Sequence, residues 1–299
     1  MSYPVYIILF FFGLAVGSFL NVVSLRYKPE RNVFSPDILG GRSHCPHCKK
    51  TLRWFELIPL ISFILERGRC LSCDKKISIQ YPLIEALSGI IFVTVPFYLQ
   101  YFYGIKNLFY LGQPLWSFYG LATVWIVVFL VWLLMTLIDM RLYIIPNELN
   151  LSLGILGVLI IFIKSFASSW LQPFHSSFVE QYELLFSPFQ QIWTNHLFGA
   201  VLSSLFFYTL YKFSKGRAMG GGDVKLALAS GLVLGWPDIG LSLALAFIFG
   251  GIFGVVLLLN RKKTMKDKLP FAPIFILGMV VTIFFGTHII SGYFRLFNI

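Results

Sequence analysis

The chain has 299 residues, 57% of them hydrophobic and only 12% charged, which is too apolar for an ordinary soluble domain and places most of the chain in a bilayer. Its formal net charge of +11 raises nucleic acid or an anionic surface as a partner, but the basic residues flank hydrophobic runs, and membrane topology alone produces such an excess. Lipid is therefore the expected surrounding and nucleic acid is not an expected partner; contact with anionic headgroups is the alternative use of the same charges.

In chain order, residues 4–25 form the first apolar run, with no basic segment ahead of it and no small-residue cleavage site, so a retained transmembrane helix is expected. Runs of spanning length recur at 82–104, 115–138, 149–167, 195–213, 239–259 and 271–293, and the shorter run 224–236 makes an eighth. With the N-terminus outside, eight spans put all but Lys106, Lys164 and Arg295 of the 24 Lys and Arg residues on the cytoplasmic side. The segment 165–196 holds Glu180 and Glu183 but no Lys or Arg, as an outer loop should. The expected fold is an all-α polytopic membrane protein of about eight transmembrane helices with a small cytoplasmic four-cysteine loop domain.

That loop lies between the first two runs and holds every cysteine, as Cys45-Pro46-His47-Cys48 and Cys70-Leu71-Ser72-Cys73. Two C-x2-C pairs joined by a linker of about twenty residues offer four thiolates to one tetrahedral ion, and a reducing cytoplasm disfavours disulfides. A structural Zn2+ on Cys45, Cys48, Cys70 and Cys73 is expected, closed to substrate and serving to fold the loop. His44 and His47 flank the first pair and are read as solvated rather than as ligands. The apolar run 54–65 is too short to span; the reading is the loop's own small core, with the membrane face as the alternative.

Of the 13 carboxylates, Glu85, Asp139, Glu148, Asp223 and Asp238 lie near the bilayer, where a charge is costly and marks a candidate site. Asp238 follows Trp236-Pro237 and reads as an outer turn residue. Asp139 ends an apolar run ahead of Pro146, which interrupts helical hydrogen bonding. Asp223 closes Gly220-Gly221-Gly222-Asp223, whose glycines permit backbone conformations and close approaches that a side chain would block. Two carboxylates sharing a proton can split a peptide bond, one drawing a proton from water while the other donates to the carbonyl oxygen. The residues alone leave equal room for structural roles, with Asp223 as a helix N-cap and Asp139 paired to Arg141 or a neighbouring lysine.

Several segments, taken in order, resemble the type IV prepilin peptidases, bacterial membrane proteases of the GxGD aspartyl class. They are Gly17-Ser18-Phe19-Leu20-Asn21-Val22-Val23, Arg42-Ser43-His44-Cys45-Pro46, Tyr81-Pro82-Leu83-Ile84-Glu85, Asp139 ahead of Ile145-Pro146-Asn147, Ala218 through Leu226, and Pro270-Phe271-Ala272-Pro273. The resemblance covers most of the chain. It implies that Asp139 and Asp223 are the catalytic pair, supported by the loop Gly220, Gly221 and Gly222. It implies removal of the basic leader of type IV prepilins or type II secretion pseudopilins, at the cytoplasmic face of the bacterial inner membrane. It also implies S-adenosyl-L-methionine as donor for methylating the new N-terminal residue, usually phenylalanine. On this resemblance 1–26 is the first transmembrane helix, 27–81 the four-cysteine loop domain associated with methylation, and 82–299 the peptidase core.

The four-cysteine loop points to the bifunctional branch. No glycine-rich nucleotide-binding turn is present, so the methyl donor follows from the resemblance alone and its binding residues are unassigned, as is the oligomeric state. Asn147 stands where the family often has aspartate, Leu57 where asparagine commonly precedes Ile58-Pro59, and Ala272 where glycine is usual. The cysteine loop argues against GxGD proteases that cut within transmembrane helices. An ion-coupled transporter predicts midplane carboxylates and internal repeats, and a zinc-stabilised scaffold predicts two distant aspartates.

Overall fold

The computed structural model describes residues 3–103, 115–166, 177–189, 191–217, 219–260 and 269–297. Lys106, Ala218, the basic turn 261–268 and the stretch 167–176 of the segment expected as an outer loop lie outside the described residues. The helices are α1 (Tyr3–Arg26), α2 (Pro36–Leu39), α3 (Ile61–Leu65), α4 (Gln80–Phe102), α5 (Leu115–Leu142), α6 (Asn147–Phe166), α7 (Glu183–Phe186), α8 (Ile192–Phe213), α9 (Gly221–Leu234), α10 (Asp238–Leu259) and α11 (Ala272–Leu296). Among the described residues there is no strand, only the isolated bridges His44–Thr51 and Arg69–Lys76.

Six helices, α1, α4, α5, α6, α10 and α11, are long and apolar enough to cross a membrane, which makes this a multi-pass membrane protein. The other two expected spans differ in character. α8 has 22 residues, but it carries Thr194, Asn195, His196, Ser203 and Ser204 and is not among the six. α9 has 14 residues, about 21 Å at the helical rise and short of a hydrocarbon core of about 30 Å. Leu226, Ala227, Ala229, Ser230, Gly231, Val233 and Leu234 of α9 are buried, and the helix packs on α6 and α8. Protein, not lipid, surrounds much of it, and a short helix is tolerated there.

The chain divides into two compact units, Met1–Phe97 and Tyr98–Ile299. In the first, α1 and α4 meet through small residues one turn apart. A Cβ added at Gly13 would lie 2.8 Å from Gly89 Cα, and one at Gly17 would lie 2.7 Å from Ser88 Cβ. Such contacts let transmembrane backbones approach where no hydrophobic driving force separates helix from lipid. At the loop end of this pair the fully buried Asn21 accepts a hydrogen bond from Gln80 Nε2 at 2.9 Å.

The second unit repeats the device. Gly231 sits against the Ala200 backbone between α9 and α8, Gly157 against Leu232 between α6 and α9, and Gly278 against the Ser242 carbonyl between α11 and α10.

The run 54–65 is not a core. Trp54 is 78% exposed, Ile64 71% and Leu65 77%, and no residue of α3 is buried. Trp54, Ile64 and Leu65 therefore face outward, as the membrane-face alternative requires, while Glu56 and Phe63 turn toward the loop's interior.

Candidate active site and metal centre

Asp139 stands in the last turn of α5. Tyr143 ends that helix in a left-handed conformation (φ 57°), its N–H donating to the Asp139 carbonyl at 2.8 Å, and Pro146 then separates α5 from α6. The Asp139 side chain is buried, and its Oδ2 accepts the backbone N–H of Ala272, first residue of α11, at 3.1 Å. The ion pairs Arg31–Asp37 and Arg69–Asp74 are the two among the described residues, and neither involves Asp139.

Asp223 is the third residue of α9 and half-buried. Its Oδ2 accepts the Gly220 N–H at 2.9 Å, and its own N–H donates to the Gly220 carbonyl at 3.2 Å. The N-cap is therefore Gly220, and Asp223 is the carboxylate that closes the cap from inside the first turn, where the helix dipole also favours it.

The glycines act differently from expectation, since none of Gly220, Gly221 and Gly222 has a positive φ. A Cβ at Gly221 would meet nothing within 4 Å, whereas one at Gly222 would lie 3.4 Å from Ile145 Cβ. Gly222 thus lies at contact distance from the turn that follows Asp139. Lys225 Nζ donates to Asn147 Oδ1 at 2.7 Å across the same seam.

The end of α5 and the starts of α9 and α11 therefore converge. The two carboxylates lie near enough for their charges to interact. Each keeps Oδ1 without a hydrogen bond among the described residues. Two acids within reach of one another can share a proton and hold a water between them.

In the first unit the cysteines build two matching knuckles. The Cys45 N–H donates to Lys50 and the Lys49 N–H to Cys45; the Cys70 N–H donates to Lys75 and the Asp74 N–H to Cys70, all at 2.9–3.0 Å. Lys49 and Asp74, each directly after its C-x2-C pair, adopt positive φ. All four Sγ atoms lie within 4.8 Å of one another, and Cys45 Sγ is 3.9 Å from Cys73 Sγ. Four thiolates at about 2.3 Å from a tetrahedral zinc stand about 3.8 Å apart, so the cluster fits a metal ion. His44 and His47 are exposed and outside the cluster.

Burial pushes the Cys45 thiol up, but the Cys48 and His47 N–H groups and the neighbouring thiols outweigh it and hold it at about 7. At Cys73 the Lys75 N–H favours the thiolate, but burial and the other three sulfurs lift it to about 11. A dication among the sulfurs removes that mutual repulsion.

Sequence reasoning missed three features. The Ala272 donor is a backbone group, which no side chain announces. Glu85, buried in α4, accepts the Leu60 N–H at 2.8 Å and ties the loop to the helix. Asp238 is not a simple turn residue, since it is fully buried and accepts the Ser177 hydroxyl at 2.7 Å and the Phe178 N–H at 3.0 Å.

Two family profiles match the chain, the Bacterial Peptidase A24 N-terminal domain over residues 11–99 and the Type IV leader peptidase family over residues 125–255. Proteins called prepilin leader peptidase/N-methyltransferase are similar along nearly the whole length. The one from Bacillus subtilis (strain 168) is 29% identical over 97% of this chain and 98% of its own. Those of Legionella pneumophila (27% identical, 98% and 96% covered) and Aeromonas hydrophila (29%, 96% and 92%) are comparable. No solved structure matches the chain.

Proposed function

Because the chain belongs to the type IV leader peptidase family, we infer that it removes the leader of type IV prepilins or pseudopilins and N-methylates the residue so exposed. It is an aspartic endopeptidase with a second, methyl-transferring activity. The observation that carries the peptidase reading is the convergence of Asp139 and Asp223, on different helices and 84 residues apart in sequence, with the Ala272 N–H on one of them. One carboxylate takes a proton from a water as its oxygen attacks the scissile carbonyl. The other, protonated, donates to the carbonyl oxygen, and a proton passes to the leaving amine as the C–N bond breaks.

The second half of the reading places methylation in the loop domain 27–81, after the first transmembrane helix 1–26, and the peptidase core in 82–299. Zn2+ on Cys45, Cys48, Cys70 and Cys73 is structural; the sulfur spacing supports it, and four thiolates leave no open coordination position. S-adenosyl-L-methionine supplies the methyl group. The basic residues argue for a bacterial inner membrane orientation with loop and aspartates facing the cytoplasm, where an uncut basic leader waits while its hydrophobic segment lies in lipid. Lipid and the prepilin are the partners this reading requires.

The test mixes the purified protein with a prepilin and reads product mass. Loss of the leader mass is expected from the unaltered chain, and Asp139→Asn or Asp223→Asn, each with an unchanged melting temperature, should abolish it. Cleavage surviving in both variants would sink the assignment. Adding S-adenosylmethionine should add one methyl increment to the cleaved product.

A further inference from the structure

The first helix, α1, has 24 residues, about 36 Å at the helical rise and slightly more than a hydrocarbon core of about 30 Å, so its last residue, Arg26, stands where the chain leaves the bilayer. The chain then passes through α2 and returns against that end at Gly40 and Gly41. This turn needs glycine: Gly41 has a φ of 88°, and a Cβ on Gly40 would lie 2.8 Å from the Pro36 carbonyl oxygen. It wraps the Arg26 guanidinium, whose Nη1 donates to the carbonyls of Ile38 and Gly40 and whose Nη2 donates to those of Gly41 and Arg42.

Those oxygens hold the cation in place without neutralising it, since Arg26 forms neither of the two ion pairs among the described residues. Beside it opens a groove of about 480 Å3 that Lys28, Arg31 and Arg42 also line. Among the described residues Asp37 is the one carboxylate on its wall, and Arg31 Nη1 meets its Oδ2 at 2.7 Å. Glu30, the other acid of the segment, is exposed and not on the wall. Lys28 and Arg42 are exposed, and their side chains have no hydrogen bond or ion pair among the described residues. Three formal positive charges therefore remain at the groove: Arg26, held rigidly, and Lys28 and Arg42, able to reach a ligand.

A groove of this charge selects an anion, and its position selects which one. Leu25 lines it from the helix side and is exposed, as are Phe34, just before α2, and Leu39, the last residue of α2. Apolar side chains left open at the end of a spanning helix meet acyl chains, while Lys and Arg beside them meet headgroups. A soluble phosphate would use the charges and leave the apolar rim uncovered. We propose that this groove binds the phosphate of an anionic phospholipid, with Lys28 and Arg42 donating to its oxygens and Arg26 supplying a fixed charge behind them. A headgroup there also offsets the repulsion among three like charges and ties the turn 28–42 to the bilayer surface. The site lies wholly within the first unit and stands apart from both the peptidase and the methyl-transfer readings.

Native mass spectrometry of the full-length protein in detergent tests it, with phosphatidylglycerol, phosphatidylcholine and inorganic phosphate as separate probes. The two lipids share phosphate and acyl chains and differ in net charge. Phosphatidylglycerol should bind at least about tenfold more tightly than phosphatidylcholine, and an equal concentration of inorganic phosphate should not displace it. A Lys or Arg at the lipid surface is worth about fivefold in affinity, so Lys28→Gln combined with Arg42→Gln should weaken phosphatidylglycerol binding at least about tenfold, with an unchanged melting temperature in detergent alone. Lys212→Gln combined with Lys215→Gln takes the same charge from exposed positions at the end of α8 and should leave that binding within about threefold. Equal losses in the two double variants would mean attraction to net charge and no site. Equal affinity for the two lipids, or displacement by phosphate, overturns the choice of ligand. Phosphatidylglycerol with a photoreactive headgroup should mark peptides within residues 25–42, and label confined to other segments overturns the groove.

Discussion

Asp139 receives its hydrogen bond from a backbone N–H, so residue 272 matters for space and not for a side-chain group. Ala272 is fully buried. Ala272→Gly should therefore leave leader cleavage within about threefold of the original, since the donor survives. Ala272→Leu must overfill an enclosed position and should cost about 1–3 kcal/mol of stability, read as a lowered melting temperature together with slower cleavage. The glycine motif gives a sharper contrast. Gly221→Ala enters open space with an ordinary φ and should keep cleavage, while Gly222→Val drives a branched side chain into Ile145 and should separate the start of α9 from the turn after Asp139. Peptidase assays on the two variants decide this: equal loss in both would mean that the motif serves substrate contact and not internal packing.

At the scale of elements, the helices are held by small residues where two backbones meet. Gly17→Leu should force α1 off α4, because even a Cβ there falls 2.7 Å from Ser88 Cβ, and a loss of about 1–3 kcal/mol is expected in a thermal or denaturant melt. Gly154→Ala in α6, where nothing lies within 4 Å, is the control and should melt like the original. These contacts also explain what the sequence could reveal. Apolar runs announce the spanning helices because length and composition are local properties, and the cysteine knuckles are legible because C-x2-C spacing encodes the turn. The short α9 was harder, since its length is tolerated by burial against α6 and α8, a tertiary fact. The 54–65 run misled because hydrophobicity alone does not say whether a segment faces a core or a membrane. An N-cap was one of the roles the residues left open for Asp223, and it caps instead from the third position, which only the helix start fixes.

For the whole molecule, the proposed activities demand that the cysteine loop and the aspartates lie on the cytoplasmic side. All four cysteines of the chain fall in that loop, so it carries its own topology reporter without any substitution. A membrane-impermeant maleimide should label the protein in inverted inner-membrane vesicles and leave right-side-out vesicles unlabelled. The extent should depend on metal. Cys45 and Cys70 are buried and Cys48 is exposed, but all four sulfurs face one another at metal-ligating distance, and a bound dication ties up every thiolate. A strong chelator should raise labelling from a small fraction to four maleimides per chain in inverted vesicles only, read by intact-protein mass. Full labelling before chelation would remove the metal from the account, and labelling of right-side-out vesicles would reverse the proposed orientation, in which the basic leader meets Asp139 and Asp223 on one side.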